Sequence, residues 1–248
     1  MRIVQLSDIH IGKYFQQEIF DILVDEINNE INPDAVVITG DLTDDGLLEQ
    51  FEQADNQIKN IKCSNKIIIP GNHDYRHTGY LIFKKFFPMK NQIYDFGNEI
   101  ILTLSTARPD RDEGEVGYRQ NLWMEKSLTK FHDRIKIIAM HHHLISIPDT
   151  GTDKVIIYDA GDALRSCLQS KVNVVLCGHK HRPWLWRLGS LEIVYAGTAA
   201  SKRFRGFFKN SYNILDINKN KISLNIKIVG GKMSPLSDLV EKYKPFFN

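Results

Sequence analysis

The chain has 248 residues, 42% hydrophobic and 25% charged, with a formal net charge of +2. That balance suits one large globular domain, residues 1–248, and gives no bulk attraction to nucleic acid or membrane. The three cysteines, Cys63, Cys167 and Cys177, show no pair-like spacing, and no apolar run approaches the ~20 residues of a membrane span. A reduced, cytoplasmic protein is therefore expected. Met1-Arg2-Ile3-Val4-Gln5 enters a strand directly, without the charged leader and apolar stretch of a secretory signal.

In chain order, residues 3–7 read as a strand ending in Asp8-Ile9-His10. An amphipathic helix follows over 15–29, with Phe15, Ile19, Ile22, Leu23 and Ile27 on one face. Pro33-Asp34 punctuates, and residues 35–39 form a second strand ending in Gly40-Asp41. A helix over 47–61 precedes the strand 67–69, which stops at Pro70-Gly71 and presents Asn72-His73-Asp74. Strands alternating with helices on short links indicate β-α-β units and a largely parallel sheet.

A hairpin is expected around Gly97-Asn98, then a charged loop over 108–117 and a helix over 121–131. The strand 135–140 ends in His141-His142-His143. A polar loop, 146–154, and a helix over 158–169 lead to the strand 172–177, which ends in Gly178-His179-Lys180-His181. The last quarter, with short runs at 184–187, 191–195, 212–217 and 222–228, suits antiparallel hairpins. A short helix is expected over 237–243.

Five apolar strands thus each end in potential ligands. In an open α/β sheet, sites form outside the carboxyl ends of strands. Asp8/His10 and His179/His181 are i, i+2 pairs, which in extended backbone point the same way. Gly40, Gly71 and Gly178 permit tight turns beside a crowded centre. The mixed O/N donors exceed what one ion takes and suit two divalent cations sharing a bridging carboxylate. No thiolate joins them, which argues against a structural zinc. Singly, each His or Asp has a plain structural reading as a turn, cap or satisfied core residue. Five together do not.

Asp8-x-His10, Gly40-Asp41, Gly71-Asn72-His73-Asp74, His141 and Gly178-His179-x-His181 resemble, in order, the signature of calcineurin-like metallophosphoesterases over roughly residues 1 to 200. The resemblance implies an α/β chain folded as a four-layer α/β/β/α sandwich with two metal ions at the sheet edge. It implies that Asp8, His10, Asp41 and His181 hold one ion. Asp41, Asn72, His141 and His179 would hold the other, with Asp41 bridging. His73 is implied to be the non-ligand histidine beside the phosphate, with Asp74 orienting it and keeping it protonated. Where the family often has His-His-Pro, this chain has His141-His142-His143-Leu144. His141 aligns as ligand because it directly follows the strand, His142 is the alternative, and His143 buttresses the site or lines it.

The chemistry implied is in-line attack of a metal-bridging hydroxide on phosphorus, with His73 stabilising charge or protonating the leaving alkoxide. Mn, Fe or Zn would each suit the donors. The opening block, the run from Pro33 to Asp44 and the stretch Gly197-Thr198-Ala199-Ala200-Ser201-Lys202-Arg203-Phe204-Arg205-Gly206 look most like the cyclic-nucleotide phosphodiesterase-like (class III) branch. Lys202, Arg203 and Arg205 are candidate substrate-binding residues, with Phe204 or Phe207 stacking; a solvated basic turn is the equal alternative. Arg108 and Arg111 are weaker candidates. The expected partner is a small-molecule phosphoester, diester before monoester. A phosphomonoesterase, a repair-type DNA nuclease and a non-enzymatic metal-bearing scaffold are the other readings. The C-terminal hairpins offer an edge for self-association, and oligomeric state stays open.

Overall fold

The β-branched runs become the inner strands of two six-stranded sheets. The computed structural model describes residues 1–87, 91–150, 155–219 and 221–241. The chain opens with β1 (Arg2–Leu6), α1 (Gln17–Asp25) and a π-helical turn (Glu26–Ile31). Then come β2 (Ala35–Thr39), α2 (Leu48–Lys59), β3 (Lys66–Ile69), a 3-10 turn (His73–Tyr75) and α3 (Gly79–Phe86). The middle holds β4 (Ile93–Asp95), β5 (Glu99–Thr103), α4 (Tyr118–Leu128), β6 (Ile135–Ala139), α5 (Ala160–Gln169) and β7 (Val174–Cys177). The end comprises β8 (Trp184–Leu188), β9 (Leu191–Tyr195), β10 (Ser211–Asn218), β11 (Lys221–Ile228), β12 (Met233–Pro235) and α6 (Ser237–Glu241).

One sheet runs β12-β11-β10-β1-β2-β3 and the other β4-β5-β6-β7-β9-β8. Within them β1, β2 and β3 are parallel neighbours, as are β5, β6, β7 and β9. Strand alternation divides the apolar residues between layers. Val4, Leu6, Val36 and Ile38 meet Phe20, Leu23, Phe51 and Phe83 of α1–α3. Ile3, Val37, Ile67 and Ile69 meet Ile137, Ala139, Val174 and Leu176 between the sheets. Ile138, Val175 and Ile193 meet Met124, Leu128 and Cys167 of α4 and α5. The result is the α/β/β/α order. Strands covered on both faces have no polar alternation, which is why they read as continuous apolar runs.

Several expectations shift. The first helix begins at Gln17, and Phe15 instead bridges Ser201, near the far end of the chain. That helix closes in a π turn, with Asn32 left-handed at φ 46° and its N–H bonded to Ile27 O. Helix α3 and strand β12 are additions that the sequence pattern does not announce: the first opens on the glycine of the turn-like His77-Thr78-Gly79, the second ends on a proline. The C-terminal strands do form the expected antiparallel hairpins, β8 with β9 and β10 with β11, and these hairpins join the two sheets. β9 pairs parallel with β7, and β10 pairs antiparallel with β1, so they widen both sheets. The expected helix over 237–243 is observed to Glu241, and 242–243 lie outside the described residues.

Candidate active site

Because β1–β3 and β6–β7 are parallel neighbours in facing sheets, their carboxyl ends lie at one rim. Backbone bonds lock the ends together: Asp8 N to Gly40 O at 3.0 Å, and Gly178 N to His141 O at 2.8 Å. Gln5 Nε2 crosses between sheets to Cys177 O at 2.9 Å. The loops leaving these strands turn abruptly. Asp8, His10, Asp41, His179 and His181 all have positive φ, between 51° and 72°. The pairs therefore converge through left-handed turns, not through the extended backbone their spacing suggested. Such conformations are unfavourable for non-glycine residues and cluster at functional sites. Gly71 and Gly178 are there for close approach: a Cβ would fall 2.0 Å from Asp41 Oδ1 and 2.0 Å from Ser7 Oγ respectively.

Three buried donor groups result, and two of them share Asp41. The first is Asp8, His10, Asp41 and His181; the second is Asp41, His141 and His179; a third, His10, Asp44 and His73, adjoins the first through His10. Asn72 joins the second, its Oδ1 2.9 Å from His179 Nδ1 and 3.1 Å from His141 Nε2. The amide is oriented because Nδ2 donates to Asp112 Oδ1 at 3.0 Å. Outer partners fix the histidine tautomers. His141 Nδ1 donates to Thr39 O at 2.7 Å, and His181 Nδ1 donates to Arg203 O at 2.7 Å. The Asp44 carboxylate stands 3.4 Å from His10 Nδ1. The Nε2 lone pairs of these rings consequently face inward.

A cation fits this arrangement. His10 Nε2 and His181 Nε2 are 3.0 Å apart, with the outer nitrogen of His181 bonded to Arg203 O and that of His10 facing the Asp44 carboxylate at 3.4 Å. Two lone pairs at that distance repel unless positive charge lies between them. Asp41 Oδ2 is buried and accepts no hydrogen bond. The charges already lean this way. Burial opposes ionisation of Asp8 and Asp41, yet His181 beside the first and His141 beside the second hold both carboxyls below the usual range. Burial pushes His10 down to about 4, and burial with neighbouring histidines pushes His179 well down. His141 goes the other way: against burial, Asp41 and Asp8 raise it to about 9.

His73 sits beside the donors with its ring centroid 4.7 Å from that of His10. Its Nδ1 lies 2.6 Å from Asp44 O, so that nitrogen is the donor and Nε2 faces the cleft. Asp74 does not orient this ring, contrary to expectation. Its carboxylate accepts from the N–H groups of Gly71, Leu42 and Thr43 and from the Thr43 hydroxyl, at 2.9–3.2 Å. It pins the two loops on which Asp41 and Asn72 ride. Burial and the nearby Asp41 raise it to about 7, against those hydrogen bonds. The orienting role belongs to Asp44, which stands out in the sequence only as the last residue of the run from Pro33. Its carbonyl holds His73, and its carboxylate reaches Arg203 Nη2 at 2.7 Å.

The remaining expected residues divide. His142 turns away: Nδ1 meets Thr106 Oγ1 at 2.8 Å and Nε2 meets Asp112 O at 3.1 Å. His143 is buried and stacks on His179, with ring centroids 5.4 Å apart. Arg203 and Arg205 line the cleft of about 250 Å³ with His73, Asn72 and Arg76. Lys202 is exposed and lies outside that lining. Phe204 packs against Phe208 at 6.3 Å, and Phe207 joins the core between the sheets. Arg108 is paired with Glu115, and Arg111 lines a shallow neighbouring hollow. Part of the polar loop 146–154, residues 151–154, lies outside the described residues.

The family model of the calcineurin-like phosphoesterases matches residues 1–183. A probable cyclic nucleotide phosphodiesterase of Xenorhabdus bovienii is 22% identical over 239 residues, 87% of this chain and 95% of that protein. A probable glycerophosphodiester phosphodiesterase of Arcobacter nitrofigilis is 31% identical over 199 residues, 73% of this chain and 72% of that protein. Among solved structures, a purple acid phosphatase from yellow lupin seeds aligns over 95% of this chain with a TM-score of 0.74 at 16% identity. The chain spans 52% of that phosphatase. GAP50, the anchor in the inner membrane complex of Plasmodium, has a TM-score of 0.69 at 12% identity, with 95% of this chain and 88% of that one covered. These two likenesses speak to the fold alone.

Proposed function

This chain belongs to the calcineurin-like phosphoesterase family, a family of metal-dependent phosphohydrolases, and we propose that it is a binuclear phosphodiesterase. The observation that carries the reading is Asp41. Its Oδ2 faces His10 at 3.6 Å and its Oδ1 faces His141 at 3.4 Å, so one carboxylate serves both of the donor groups that contain it. Asp8, His10, Asp41 and His181 would hold one divalent cation; Asp41, Asn72, His141 and His179 would hold the other. When bound, the pair would supply Lewis-acid stabilisation of phosphoryl oxygens and a water of lowered pKa.

The protein's own residues would do the rest. A water oxygen would bond to phosphorus and release a proton to solvent, the ester P–O bond opposite it would break, and the leaving oxygen would take a proton. His73 Nε2 is the atom placed to give that proton, because Nδ1 is held by Asp44 O. Asn72 contributes an oxygen donor without adding negative charge beside the phosphate. The charge balance favours a diester: Arg203 is already paired with Asp44, which leaves less positive charge for a monoester dianion. The names of the relatives from X. bovienii and A. nitrofigilis support the same class, and a cyclic nucleotide is the first diester to try.

The test is a panel with Mn²⁺, comparing bis-p-nitrophenyl phosphate, p-nitrophenyl phosphate, 2′,3′- and 3′,5′-cyclic nucleotides and single-stranded DNA. Turnover of diesters above the monoester is expected. Preference for the monoester over every diester would overturn the reading.

A further inference from the structure

Three arginines line the cleft: Arg76, Arg203 and Arg205. Arg76 is engaged by Asp44 O at 3.1 Å, Asp45 at 3.5 Å and Asp112 at 3.6 Å. Arg205 is exposed. Arg203 differs from both, because its Nη1 lies 3.5 Å from His73 Nε2, the atom assigned to proton delivery.

Its position is fixed from several sides. The backbone N–H donates to Ser201 Oγ at 3.2 Å, and the carbonyl accepts from the metal-site residue His181 at 2.7 Å. The guanidinium carbon lies 4.9 Å from the centroid of the Tyr14 ring, and Nη2 meets Asp44 Oδ1 at 2.7 Å. Tyr14 is itself held to this loop, since its carbonyl accepts from Lys202 N at 2.9 Å. One face and one edge of the fork are thus occupied. Nη1 is left beside His73, and the buried Nε has no acceptor among the described residues. A planar fork held this way loses little side-chain freedom when an oxyanion arrives.

We propose that Arg203 is a substrate-binding residue whose Nη1, together with His73 Nε2, grips one phosphoryl oxygen of the bound phosphoester. Tyr14 and Asp44 are the residues that aim it. This rests on the cleft being a phosphoesterase site. The loop 197–206 then works in two ways, since the Arg203 carbonyl orients a metal-site histidine while the Arg203 side chain meets substrate. A purely structural Arg203 would supply the carbonyl to His181 and the ion pair to Asp44, and would leave phosphate affinity at full metal occupancy unchanged.

The experiment uses the Mn²⁺-loaded 248-residue chain and reads inorganic phosphate affinity by calorimetry, metal content, and KM against kcat for bis-p-nitrophenyl phosphate. R203A is expected to keep its metal while phosphate affinity falls roughly tenfold or more, the size of a lost charge-assisted hydrogen bond. Its KM should rise, and millimolar guanidinium should restore part of the loss. R203K should be intermediate with an unchanged melting temperature. K209A, on an exposed lysine of the following turn, should match wild type. Phosphate affinity and KM within about twofold of wild type in R203A overturn the proposal. So does a loss of affinity that extra metal fully restores, which would mean a role only through His181. If R203A does not fold, wild-type phosphate affinity in R203K overturns it. A wild-type protein that hydrolyses no phosphoester sinks the phosphodiesterase reading alone, because phosphate binding still judges Arg203.

Discussion

Asp44 Oδ1 and Arg203 Nη2 meet at 2.7 Å, the carboxylate 4% exposed and the guanidinium 28% exposed. The same carboxylate lies 3.4 Å from His10 Nδ1, and the Asp44 carbonyl holds His73. One residue therefore touches the His10 ring, the His73 ring and the cleft arginine. Asp44→Asn keeps the carbonyl but weakens the other two contacts. Metal affinity should fall ~10–100-fold, as for other outer partners of ligating histidines. Metal titration with a chromophoric chelator measures it.

His73→Ala should lower kcat by ~10²–10⁴-fold, the usual worth of general acid–base help, with metal content unchanged. Metal analysis beside steady-state kinetics checks both halves. Metal loss in this variant would place His73 among the ligands.

Asp74→Ala should act on the loops and not on the acid. It strands three backbone N–H groups and a hydroxyl. Each buried group left without a partner costs ~1–3 kcal/mol. A fall in melting temperature together with metal loss is expected. Full metal occupancy with a changed pH–rate profile would instead restore the idea that Asp74 works through His73.

Stability without metal should peak near neutral pH. His141 is raised to about 9, so its stabilisation is full below pH 6.5 and disappears as pH rises through about 9. His10 is lowered to about 4, so its contribution is full above pH 6.5 and disappears as pH falls through about 4. Urea melts of the chelated protein from pH 4 to 10 should trace a dome. Added metal should stabilise more as pH climbs toward about 9, because His141 must shed its proton to ligate.

Burial pushes the Cys167 thiol up to about 12 and Cys177 higher still. Neither should react with a thiol reagent in the native protein at pH 8, and both should react once it is unfolded.

Much of this site was legible because β-branched runs stop sharply at polar donors, and parallel strands put such stops on one rim. Asp8, His10, Asp41, Asn72, His141, His179 and His181 carried that signal. Asp44 and Asp74 were harder. Both are acids on the same pair of loops, and spacing alone made Asp74, the neighbour of His73, the natural support. The backbone path decides otherwise, by turning the Asp74 carboxylate into the loops and bringing the Asp44 carbonyl to the ring. Arg203 reaches them from a loop whose course depends on sheet order, which no local pattern encodes. Helix α3 and strand β12 are short, and their signals are no stronger than those of a turn.

The positive φ angles at Asp8, His10, Asp41, His179 and His181 bear on how this chain would change under selection. Each holds an L-residue in a conformation that costs roughly 1–2 kcal/mol over the ordinary one and that glycine adopts freely. Glycine at any of them would relax the backbone while removing a donor. At Asp8 and Asp41 it would also strand the His179 and His73 N–H groups that their carboxylates accept, so the relief of strain is offset there. Backbone strain and metal donors thus reside in the same five residues, and neither can be changed without the other.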